Sequence, residues 1–111
     1  MDSANLTIGA SYYRLAFADA PRTIPGVTPM IYVGVNIFPD DDPNTSVYYF
    51  QDTVSFSALG SVASSDYDSK RADVEAQVFP YTDSDLASEI MTLGEIVTAL
   101  TEALRRASWK H

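Results

Sequence analysis

Apolar residues recur along this chain with two different periods. Toward the carboxyl end, Leu86, Ile90, Leu93, Val97, Leu100 and Leu104 are spaced alternately four and three apart, the signature of a stripe on one face of a helix. Ala87, Ala99, Ala103 and Ala107 add good helix formers. Thr82 can cap the start, Asp85 stands at the third helical position, and Tyr81 can staple against Leu86. Asp83, Asp85 and Glu89 come early and Arg105, Arg106 and Lys110 late, an order that complements the helix dipole. Thr92, Glu95 and the pair Met91/Ile96 repeat the same box and staple, and Gly94 lies inside the stretch. The spacing therefore predicts either one helix over 82–107 or a short helix followed by a longer one. Residues 93–107 are helical in both readings. The stripe is expected to pack across a sheet; a coiled-coil seam with a partner is the alternative.

Upstream the period is two. Leu6, Ile8, Ala10 and Tyr12 alternate with polar or small residues, which predicts a strand over 5–17. A proline-rich loop follows, with Pro25-Gly26 as its turn signal. Residues 30–38 read as a strand with Ile31, Val33, Val35 and Ile37 on one side and Met30, Tyr32 and Phe38 on the other. Two apolar sides predict a central strand covered on both faces. Residues 46–59 carry β formers and are expected to be one long strand, bent or divided at Gln51-Asp52-Thr53. Ala72, Val74, Ala76 and Val78 alternate with charged or polar residues and predict a further strand. The expected architecture is α+β: an antiparallel sheet of four or five strands, with a C-terminal amphipathic helix, continuous or broken near Thr92–Gly94, packed on one face. At 111 residues the chain is expected to be a single domain, 1–111.

Composition narrows the function more than the fold. Fifteen acidic residues against seven basic ones give a net charge of -8. Nucleic acid and anionic membrane surfaces are thereby excluded as main partners, since both need a basic patch. A basic protein partner or a homo-oligomer fits better. No apolar run approaches the roughly 20 residues of a membrane span, and residues 1–5 lack the basic and apolar regions of a secretory signal. A cytoplasmic location is the expectation. No cysteine is present and the one histidine is the last residue, His111, so thiolate chemistry, a catalytic triad and a histidine metal centre are not expected. No phosphate-binding glycine loop occurs, and no cofactor is implied.

The remaining candidates are weak. Asp40, Asp42 and Asn44 stand at alternate positions like the start of a calcium loop, but Thr45 and Gln51 replace the glycine and the closing glutamate that such a loop requires. Asp66, Asp68, Asp73 and Glu75 read as solvated charge rather than acid–base machinery. Tyr13, Tyr32, Tyr48 and Phe50 would form an aromatic interaction surface if one sheet face were left open, and Trp109 is a further candidate anchor. These residues argue for a small acidic interaction module without catalytic activity, either an antidote-like binder of a basic protein or a self-associating dimer. The alternative is a small-molecule binder or enzyme with a pocket between helix and sheet.

Overall fold

The strand expected to be covered on both sides is the middle of the sheet. In the computed structural model, which describes residues 2–67 and 75–107, β2 (Pro25–Val35) lies between β1 (Ser11–Phe17) and β3 (Tyr48–Asp52). The edges are β4 (Val78–Tyr81) beside β3 and the two-residue β5 (Ile90–Met91) beside β1. All four pairings are antiparallel. Three helices complete the α+β fold: α1 (Thr53–Leu59), α2 (Asp83–Glu89) and α3 (Leu93–Ala107). Every residue of β2 from Met30 to Gly34 is buried. The strand has a bulge against β3 between Tyr32 and Gly34. There Gly34 adopts φ +144, and a Cβ would come within 2.7 Å of Ile37 Cγ2, so only glycine fits.

One face of the sheet carries the core. Tyr12 is opposite Met30, Tyr32 opposite Phe50, and Tyr48 opposite Tyr81. Leu86 of α2 and Ile90 of β5 join Tyr12, Met30, Tyr32, Phe50 and Tyr81 in a single cluster, flanked by Leu6 and Ala10 from the segment before β1. Phe50 is at its centre, edge-on to Tyr12 at 5.9 Å and to Tyr81 at 5.5 Å, a geometry that matches ring edges to ring faces. Burial pushes the Tyr32 and Tyr81 phenols above their ordinary pKa, so both stay neutral.

Alternation sends Tyr13, Leu15 and Phe17 to the other face, together with Met91, which is opposite Tyr13. Here α3 lies against β1 and β5, while α1 covers β2 and β3. Beneath α1 the amide of Gln51 is fully buried. It donates to Ser55 Oγ (2.9 Å) and the Gly60 carbonyl (3.0 Å), and accepts from the Val62 N–H (2.9 Å). These bonds tie the end of α1 and the following loop to the sheet, and no buried side-chain polar atom among the described residues is left without a partner.

Several expectations are corrected. Residues 5–10 are not strand: Asp2 caps a short 3-10 turn, Ser3–Asn5. The Tyr12 hydroxyl then holds the segment by accepting from the Thr7 N–H (2.8 Å) and donating to the Asn5 carbonyl (3.3 Å). Residues 53–59 are helix rather than strand, because the Asp52 carboxylate accepts from the Ser55 N–H (2.9 Å) and starts α1. Gly60 at φ +80 ends it. Of the strand expected around 72–78, residues up to Val74 lie outside those described. Residues 75–77 are not strand, and β4 begins at Val78.

The stretch over 82–107 proves to be two helices. Both boxes form: Asp85 N–H to Thr82 Oγ1 at 3.4 Å with Thr82 N–H to Asp85 Oδ2 at 3.3 Å, and Glu95 N–H to Thr92 Oγ1 at 3.2 Å with Thr92 N–H to Glu95 Oε1 at 3.0 Å. Between them Ile90 and Met91 are extended and pair with Arg14 and Tyr13. That interruption resets the helical phase, so the six-residue stripe does not lie on one face. Leu86 and Ile90 are buried in the core, whereas α3 turns Ile96 and Ala103 inward and leaves Leu93 61%, Val97 55% and Leu104 60% exposed.

Candidate functional site

The sequence-predicted aromatic surface is dispersed by the register. Tyr32 and Phe50 are in the core and Tyr48 packs against them, because α2 and the segment before β1 cover that face. Tyr13 is half-buried on the opposite face, and Trp109 lies outside the described residues. The Asp40 loop serves its own turns. Asp41 accepts from the Phe38 N–H (2.9 Å) and from the Tyr49 hydroxyl (2.6 Å), which raises the Tyr49 pKa. Asp42 accepts from the Asn44 N–H (2.9 Å). Asp66 and Glu75 are exposed, and Asp68 and Asp73 lie outside the described residues. Among the described residues no three His, Cys, Asp or Glu side chains are grouped so as to hold a metal ion, and no helix is long and apolar enough to cross a membrane.

Two features at α3 remain, and both arise from the phase reset. The first is its outward ridge. Leu93, Val97, Leu100 and Leu104 follow the four-three-four spacing of a coiled-coil seam. The shoulder positions next to this seam hold Gly94 and Thr101 on one side, and Ile96 and Ala103 on the other, where the helix meets the sheet. The charged residues Glu95 and Glu102 fall at the positions farthest from the seam. At its carboxyl end the ridge runs into an apolar groove of about 430 Å³ lined by Ile24, Pro25, Leu100, Ala103 and Leu104.

The second feature is a groove of about 560 Å³ between β1, the β1–β2 loop and α3. Its loop wall is fixed by Asp19, whose carboxylate accepts from the Thr23 hydroxyl (2.5 Å), the Thr23 N–H (2.9 Å) and the Ile24 N–H (2.8 Å). Those bonds, the Thr23 hydroxyl first, hold the Asp19 pKa below the ordinary carboxylate value. The turn places Arg22 in the left-handed region at φ 60 and presents its carbonyl to Arg106, whose Nε–H donates to it at 2.8 Å. The Arg22 and Arg106 guanidiniums stand 5.5 Å and 5.4 Å from the centre of the same Phe17 ring, within cation–π range.

The seam is legible in the spacing of α3, as the alternative to sheet packing; the arginine pair is not. Arg22 and Arg106 are 84 positions apart, and no local pattern joins them. The fold defines an α+β domain with an apolar helix face and a basic-lipped groove. The chain matches no protein-family model, no curated protein and no solved structure.

Proposed function

We propose that this protein is a non-catalytic interaction module that docks through the outward ridge of α3, and that the ridge takes a second copy of the chain. The observation that carries the reading is the exposure of Leu93, Val97 and Leu104, each more than half open to solvent on one helix face. Exposed apolar side chains gathered this way mark an interaction surface. The absence of charge beside the seam supports a like partner. Two chains of net charge -8 repel, and a self-pairing face must keep its carboxylates out of the contact, as Glu95 and Glu102 are kept. An antiparallel pairing about a two-fold between Val97 and Leu100 sets Leu93 against Leu104 of the other copy, so every seam contact is apolar.

The magnitude is modest. Burying the exposed half of each ridge side chain contributes about 1 kcal/mol, and association itself costs at least about 4 kcal/mol. Weak self-association, with Kd in the range of roughly 0.3–3 mM, is expected. Sedimentation velocity over that range should show a concentration-dependent dimer, and Val97→Asp should hold the chain monomeric. A wild-type chain that remains monomeric at millimolar concentration refutes self-pairing. The acidic composition supports a basic protein as the second occupant of this face, and salt-sensitive capture lost in Val97→Asp would distinguish that case.

A further inference from the structure

In a chain with more than twice as many acidic as basic residues, each arginine has carboxylates to choose from. Arg105 takes Glu102, with its Nη1 at 2.7 Å. Among the described residues Arg22 and Arg106 take none: neither forms an ion pair, the Arg22 guanidinium makes no hydrogen bond, and Arg106 commits only its Nε, to the Arg22 carbonyl. Both instead converge on Phe17 at the lip of the larger groove. The groove also contains its own selection against strong anions. Asp19 and Glu102 line it, the first saturated by its loop donors and the second paired with Arg105.

We propose that this groove binds the carboxylate of a small organic acid with a flat apolar body. A guanidinium fork matches a carboxylate by two parallel N–H···O bonds, and here Arg22 offers its guanidinium and Arg106 its two Nη groups. Leu15, Phe17 and Met91 offer an apolar wall for the rest of the molecule. The volume of about 560 Å³ is within the range of ligand pockets. A monoanion fits better than a dianion. Each added negative charge gains from the two arginines but is opposed by the two carboxylates, so a second charge adds repulsion without adding a second planar match. This site is separate from the α3 ridge and is read on the monomer, so loss of self-association leaves it untouched.

Benzoate is the probe, titrated into the full ¹⁵N-labelled chain at low salt and followed by ¹H–¹⁵N spectra. The expected result is saturable shifts confined to groove amides such as Ala16, Ala20 and Ala99, with Kd on the order of 1 mM, as the size of the probe allows. Neutral benzamide should bind at least about tenfold more weakly, and inorganic phosphate no more tightly than benzoate. Arg22→Gln, which removes a guanidinium whose contact among the described residues is the face of Phe17, should keep the dispersed spectrum and weaken benzoate at least about tenfold. Arg22→Lys, retaining charge without the fork, should fall between. The proposal is overturned by any of four results: no saturable shift to tens of millimolar, equal binding of benzamide, tighter binding of phosphate, or undiminished binding in a folded Arg22→Gln chain.

Discussion

Replacing Gln51 with leucine tests whether a buried amide organises the α1 side of the sheet or only fills space there. The side chain is fully buried and similar in volume to leucine, so little cavity is created. What disappears is one bond each to Ser55 Oγ, the Gly60 carbonyl and the Val62 N–H. Ser55 keeps its bond to Asp52 at 2.5 Å, so its hydroxyl is not orphaned. Gly60 and Val62 are half-buried, and water can reach them at some cost. Three bonds at about 1 kcal/mol each, with partial rehydration of two partners, give a destabilisation of roughly 2–3 kcal/mol. In a chain this size that is a drop of about 10 °C or more in Tm. Urea denaturation followed by far-UV circular dichroism gives the free energy, and amide exchange at Val62 reports the local effect. Val62 should lose its protection even under conditions where the sheet stays folded. A loss below about 0.5 kcal/mol with Val62 still protected would refute the argument, because the amide would then be replaceable by apolar bulk.

Three further outcomes follow from the same geometry. The Asp52 carboxylate is raised by burial, but the Ser55 hydroxyl and the Gln77 and Ser55 N–H groups more than offset this and its pKa ends below the ordinary value. Its stabilisation is therefore present above the unfolded pKa and lost as pH falls through the folded one. The stability gap between wild type and Asp52→Asn should be full at pH 6 and shrink below about pH 4; a gap that widens in acid contradicts the assignment. Leu86→Ala should cost about 2–5 kcal/mol and Leu93→Ala under about 1 kcal/mol, since one is wholly buried and the other mostly exposed; equal losses would show that the two share a face after all. Gly94→Ala meets nothing within 4 Å and should add up to about 1 kcal/mol by helix propensity, seen as a raised urea midpoint.

What the sequence revealed and what it concealed divide along local and non-local lines. The capping boxes at Thr82 and Thr92 depend on residues three apart, and both formed where the pattern put them. The doubly apolar run from Met30 to Val33 announced a strand with neighbours and cover on both sides, but β2 begins at Pro25, where a turn was expected, and ends at Val35 rather than Phe38. At 53–59 the strand preference of Val54 and Phe56 yields to Asp52, whose cap with Ser55 is the stronger local signal. The apolar period runs unbroken through Ile90 and Met91, but pairing with β1 there overrides helix formation and splits the stripe. The aromatic surface failed for a different reason: alternation separates Tyr12 from Tyr13 reliably, but which face α2 would cover depends on packing across the whole sheet. The meeting of Arg22 with Arg106 is of the same kind.

The two-residue β5 passes the chain around the edge of the sheet, leaving α2 on the core side and α3 on the other. No α3 residue belongs to the seven-member core cluster. The last helix can thus peel away as a cooperative unit while the aromatic interior stays closed, a partial opening of lower free energy than global unfolding. Any occupant that clamps α3 to the β1–β2 loop closes that door, and would be felt first as slower exchange in the final fifteen-residue helix rather than as a higher melting temperature.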